Sequence, residues 1–124
     1  MQEVARMEPM ITHEFNSLIW KLDLVNPLKK YNAVAESLYQ PFDACGTFLI
    51  DREELTSLRN CMLYLSLDIL QKHVHAKTAT IIAVAGGNSK KDAVHAGLHA
   101  QIFNVLITDS DTAEYVLKKE EKVL

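Results

Sequence analysis

The chain has 124 residues, 48% of them apolar and 23% charged, with 13 basic against 16 acidic residues and a net charge of −3. That composition suits one domain with a packed core and excludes a disordered chain. The scattered, outnumbered basic residues argue against direct nucleic-acid binding by this chain.

Residues 1–11 mix Met, Glu and Arg without a clear period and read as a frayed helix or a leader. Thr12 is placed to cap a short helix carrying Phe15, Leu18 and Ile19, with Glu14 favourable in its first turn. Asn26-Pro27 signals a second, brief helix, Asn as N-cap and Pro at its first position, ending near Tyr31 or Asn32. Ala33 to Tyr39 reads as a strand. Pro41 to Gly46 has hairpin-turn chemistry, and Thr47 to Ile50 reads as the returning strand. Asp51 is placed to cap a helical turn through Glu53, Glu54 and Leu55.

From Cys61 the pattern is regular. The apolar run Cys61 to Leu65 reads as a strand, and Ser66 caps a helix through Leu67, Ile69 and Leu70. Thr78 to Val84 is apolar and β-branched, the pattern of a central strand buried on both faces. Gly86-Gly87 breaks it. Ser89 with Asp92 makes a capping-box-like start to a helix ending near Ala100. Val105 to Ile107 is the next strand, and Asp109 or Ser110 caps a last helix through Val116 and Leu117. The mixed charges from Lys118 to Lys122 read as a solvated helix end. Alternation with short loops implies parallel strands and right-handed crossovers, half of a doubly wound α/β sheet.

No apolar run approaches the ~18 residues of a membrane helix, and no signal-peptide pattern opens the chain. A cytoplasmic protein is expected, with Cys45 and Cys61 as reduced, buried or incidental thiols.

Ligands of open parallel sheets collect beyond the strands' carboxyl ends, here the loops Ala85 to Ser89 and Thr108 to Asp111. In the first, Gly86 and Gly87 let backbone N–H groups approach a ligand, and the following helix offers its positive end with Lys90 and Lys91 in its first turn. Such a unit is either a tight turn with exposed lysines or an anion cradle. Thr108 to Asp111 is either helix capping, the commoner role of such a cluster, or a site for a hydroxyl group or a metal. Glu36, an acid inside a strand, faces either water or a ligand. His95 and His99 are four apart, but Val94 and Leu98 mark the buried face and turn both outward. With no zinc-protease motif and no Cys-x-x-Cys, no metal, catalytic nucleophile or cofactor is expected.

Ile82-Ala83-Val84-Ala85-Gly86-Gly87 with Lys90, then Val105-Leu106-Ile107-Thr108-Asp109 with Thr112-Ala113, resembles the end of the effector-binding domain of SorC/DeoR-type bacterial regulators, which are sugar-responsive transcription factors. Ala33-Val34-Ala35-Glu36 and Phe42-Asp43-Ala44-Cys45-Gly46 resemble that family's Ala-Val-Gly-Asp/Glu and Phe-Asp-x-x-Gly stretches, in the same order. Ser66 to Leu70 resembles its helix before the glycine loop. The resemblance runs over residues 29–117 of a single α/β domain spanning 1–124. It implies a Rossmann-like, open, mostly parallel sheet with flanking helices, a partial domain corresponding to the C-terminal half. The family's helix-turn-helix and the first half of its effector domain have no counterpart here.

By the same resemblance Lys90 approaches a ligand phosphate and Glu36 approaches sugar hydroxyls, with Gly86 and Gly87 beside them. Ala35 departs from the family's usual Gly, and Lys72 to Thr78 is longer than the usual link. The function implied is sugar-phosphate effector binding and oligomerisation in a regulator, without a DNA-binding domain in this chain. Two alternatives are a small sugar-phosphate isomerase with Glu36 as its base, and a pure protein-interaction module. An exposed sheet edge is expected to drive homo-oligomerisation or strand exchange, with the N-terminal forty residues helping to cover it.

Overall fold

The computed structural model describes residues 13–122, and only the backbone of His13 and Glu14. The expectations for residues 1–11, the Thr12 cap and the Glu14 charge lie outside the described residues. Helix α1 spans His13–Lys21 and α2 spans Val25–Lys30. Phe15 and Ile19 share one face of α1 and are buried with Leu24, Leu28, Leu49, Ile50, Leu55 and Leu58 in a first core. Burying each large aliphatic side chain contributes about 2 kcal/mol. Helix α2 starts before the expected Asn26 cap, because the Leu24 carbonyl already accepts from Leu28 N at 3.1 Å. Pro27 therefore sits inside the first turn, where its missing N–H costs nothing.

Strand β1 (Ala33–Ser37) pairs antiparallel with β2 (Gln40–Asp43). The hairpin turn expected at Pro41 to Gly46 lies instead at Leu38-Tyr39, and Pro41 and Phe42 belong to β2. Both turn residues have positive φ, 51° and 62°. Tight hairpins normally place Asn or Gly there, so Leu-Tyr carries no turn signature. Glu36 compensates, its Oε2 accepting from Tyr39 N at 3.0 Å. Left-handed backbone at a branched, bulky residue costs about 1–2 kcal/mol. Leu38→Asn is accordingly expected to raise stability by about 1 kcal/mol, read as a higher urea midpoint with an unchanged slope.

Asp43 to Gly46 is a second turn, in which Asp43 Oδ1 accepts from Cys45 N and Thr47 N at 2.9 Å. The returning strand expected at Thr47 to Ile50 is reduced to one bridge, Phe42 to Phe48. A 3₁₀ turn (Glu53–Leu55) leads directly into α3 (Thr56–Asn60), with Arg52 rather than Asp51 at its cap position and no capping side chain.

Cys61 to Leu65 forms no strand among the described residues, and most of it is exposed. It is anchored by Gln40, which is fully buried. Gln40 Nε2 donates to Leu65 O at 2.7 Å, and its Oε1 accepts from Leu67 N at 3.0 Å. Gln40→Ala strands both backbone groups and is expected to cost about 2–3 kcal/mol in urea unfolding. Ser66 caps α4 (Leu67–Ala76) as expected, accepting from Asp68 N.

Strand β3 (Ile82–Val84) pairs in parallel with β4 (Val105–Ile107), and α5 (Lys91–Ala100) crosses between them. Helix α6 spans Ser110–Glu121. The described residues thus form a mixed α/β structure with two sheets of two strands each. The central strand expected at Thr78 to Val84 is shorter, and it is not buried on both faces: Ile82 and Val84 are 56% and 75% exposed. Among the described residues, Ile82, Val84, Val105 and Ile107 form an exposed apolar face. Of the forty N-terminal residues expected to help cover it, residues 1–12 lie outside the described residues, and Phe15, Ile19, Leu24, Leu28 and Ala33 are buried in the first core. A second core of Ala35, Phe42, Leu67, Ala96, Ala100 and Ile102 joins the hairpin to α4 and α5.

Candidate functional site

A cavity of about 460 Å³ opens between the β1–β2 hairpin, the β3–β4 pair and the first half of α5. Ala83 and Leu106 form its floor, from the sheet face opposite the open one, and Phe42 and Phe103 add aromatic walls. The volume is that of a small-molecule site. Two charged residues line it, Glu36 from β1 and Lys90 from the start of α5.

Each owes its position to local geometry. The irregular register between Ala33 and Ala35 sets the pleat at Glu36, and the half-buried Glu36 carboxylate braces the Leu38-Tyr39 turn. Lys90 ends a 3₁₀ turn, Asn88–Lys90, inserted between Gly87 and α5. That turn displaces the expected Ser89–Asp92 capping box: Ser89 lies inside it, and α5 starts with no side-chain cap. Asp92 instead accepts from Tyr115 Oη at 2.5 Å and Lys119 Nζ at 3.2 Å on α6. These partners, Tyr115 first, hold its carboxyl below the usual range.

Gly86 and Gly87 stand beside the cavity rather than in its lining. Gly87 has φ of 95° and donates its N–H to Asp109 Oδ2 at 2.6 Å. A Cβ on Gly86 would meet that same oxygen. The glycine loop is therefore tied to a protein carboxylate, and Gly87's amide is already committed. Asp109 also performs the expected capping, its Oδ1 accepting from Thr112 N at 2.8 Å and its Oδ2 from Thr112 Oγ1 at 3.1 Å. Hydrogen bonds from Gly87 and Thr112 hold its carboxyl down to about 2.

A carboxylate with a depressed pKa contributes stability above its unfolded value, about 4, and loses it as pH falls through the folded value. Stability is therefore expected to decline between about pH 4 and the folded pKa of about 2. Asp109→Asn should flatten that acid limb in a pH-resolved melting series.

Of the other sequence candidates, Cys45 and Cys61 are free and exposed rather than buried. His95 is buried, contrary to the expected outward orientation, and Leu98 is the exposed residue. Val94, His95, Ala96 and Gly97 are consecutive and all buried. Helix α5 is flanked by the second core on one side and α6 on the other, so its periodicity marks no single inner face. The sequence gives no sign of Gln40's role either, since a polar residue before Pro41 has the pattern of a turn. Among the described residues, no helix is long and apolar enough to cross a membrane.

Residues 4–118 match the family model described as "Putative sugar-binding domain". The chain is 35% identical over 85 residues to the transcriptional regulator LsrR of Enterobacter sp. (strain 638), a stretch covering 68% of this chain. It spans 24% of that relative's length. No solved structure gives a significant match.

Proposed function

The chain belongs to the sugar-binding domain family of SorC-type transcription regulators, and from that premise we propose that the cavity between the hairpin and the β3–β4 pair binds a phosphorylated sugar as regulatory effector. The observation that carries this reading is the pairing of one anionic and one cationic residue, Glu36 and Lys90, in the lining of one sugar-sized cavity with apolar walls. A carboxylate accepts hydrogen bonds from sugar hydroxyls, and an ammonium beside an uncapped helix start attracts a phosphate. Gly86 and Gly87 take part by shaping the loop that presents Lys90, with the Gly87 amide held by Asp109.

Binding without turnover is the reading, because Glu36 braces its own hairpin. The open apolar face of Ile82, Val84, Val105 and Ile107 supports assembly into homo-oligomers, with direct nucleic-acid contact disfavoured by the acidic balance. The place of action is then the cytoplasm. Thermal-shift screening of pentose and hexose phosphates, beside the matched free sugars and sulfate, tests the ligand. Stabilisation by at least one sugar phosphate beyond that given by sulfate is expected, and none by any of them overturns the proposal. Light scattering that finds only monomer at high concentration overturns the assembly part.

A further inference from the structure

His95 and His99 stand one turn apart on α5 and aim their Nε2 atoms at the same oxygen, Glu120 Oε1 on α6, at 2.6 and 2.7 Å. The two rings are 4.7 Å apart between centroids and tilted by 58°. The three potential ligand atoms lie within 4.8 Å of one another. Two imidazoles and a carboxylate are the donor set that divalent transition metals such as Zn²⁺ prefer. We propose that His95, His99 and Glu120 form a three-ligand site for such an ion, with a fourth position open to water.

The geometry requires little movement. Ligands at about 2.0–2.1 Å from a tetrahedral ion are about 3.3 Å from each other. Each nitrogen–oxygen separation must therefore widen by roughly 0.6–0.7 Å to admit the metal. Glu120 is 43% exposed and His99 39% exposed, so both can adjust, while His95 is fixed by burial. Ligation through Nε2 requires the remaining ring proton to stand on Nδ1. His95 Nδ1 is buried with no hydrogen-bond partner among the described residues, so ligation through Nε2 leaves an unpaired N–H there, a cost that the metal–ligand bonds must exceed. The nearby Lys119 ammonium is paired with the Asp92 carboxylate at 3.2 Å, which offsets its repulsion of a cation. An ion here joins α5, which forms a wall of the cavity, to α6.

Calorimetric titration of the full chain with ZnCl₂ alone, with melting followed in parallel, tests the site. A 1:1 stoichiometry is expected, with a melting-temperature rise of about 5 °C or more at saturating zinc. Cobalt substitution should give the visible bands of a four- or five-coordinate centre. His99→Ala and Glu120→Gln, at positions exposed enough to keep the fold, should each weaken zinc by at least about tenfold and remove those bands. Removal of His73 and His75, or of Cys45 and Cys61, should leave both unchanged. Absence of 1:1 binding overturns the proposal, as does zinc affinity that survives in both variants or disappears with the other histidines or the cysteines.

Discussion

Gly46→Ala is expected to lower the unfolding free energy by about 3–5 kcal/mol, enough to leave a marginal domain substantially unfolded. Gly46 has φ of 81° in the turn after β2. An added Cβ would lie 2.6 Å from Ala100 Cα and similarly close to the His99 carbonyl carbon. These are backbone atoms at the end of α5, so no side chain can rotate away. The substitution combines left-handed strain with a steric clash between two segments of the second core. Gln101 continues the same junction with φ of 56° and a short contact to His75. Urea unfolding followed by circular dichroism measures the loss. Gly87→Ala is the comparison: with φ 95° and ψ 153° it lies in backbone space essentially reserved for glycine but meets nothing within 4 Å, so it should cost strain alone, about 1–3 kcal/mol. Equal losses in the two variants would show that strain alone, and not packing of the turn on α5, makes Gly46 necessary.

Where local chemistry decides the conformation, the sequence is a sufficient guide. Ser66 and Asp109 cap the helices they precede, and Val105 to Ile107 is a strand between turn signals. Reading fails where tertiary contacts override local preference. The Leu38-Tyr39 turn needs Glu36 as a brace, and the Ser89–Asp92 pair is divided by the attraction of Asp92 to Tyr115 and Lys119. The apolar run Cys61 to Leu65 has strand composition, but the neighbouring backbone groups Leu65 O and Leu67 N pair with the Gln40 side chain.

The candidate site divides in the same way. Glu36 and Lys90 are legible, one as an acid within a strand and the other as a lysine after a glycine turn, and the two line one cavity. The Gly87 tether is not legible, because it depends on an aspartate 22 residues away in sequence. Nor is the convergence of His95 and His99 on Glu120, which requires the packing of α6 on α5.

Lys90→Glu is expected to weaken binding of a sugar phosphate by about 100-fold or more, and Lys90→Ala by roughly tenfold. The difference reflects charge: alanine removes an attraction, whereas glutamate adds a repulsion that a half-enclosed cavity screens less than bulk water does. Because Lys90 makes no ion pair with other described residues, its loss strands no partner and the fold should hold. The loss should shrink as ionic strength rises, with a Debye length of about 8 Å at physiological salt. Glu36→Gln separates the other half of the ligand. Glutamine can still accept from Tyr39 N, so the hairpin survives, but it loses the charge that meets sugar hydroxyls. Lys90 variants should therefore spare any weak binding of the free sugar while abolishing the preference for its phosphate. Glu36→Gln should weaken the free sugar at least as much as its phosphate, because it also removes a like charge from the cavity. Titration calorimetry of each variant with a matched sugar and sugar-phosphate pair reads these factors. If the two substitutions weaken both ligands alike, Lys90 does not meet the phosphate, and the polarity assigned to the cavity is wrong.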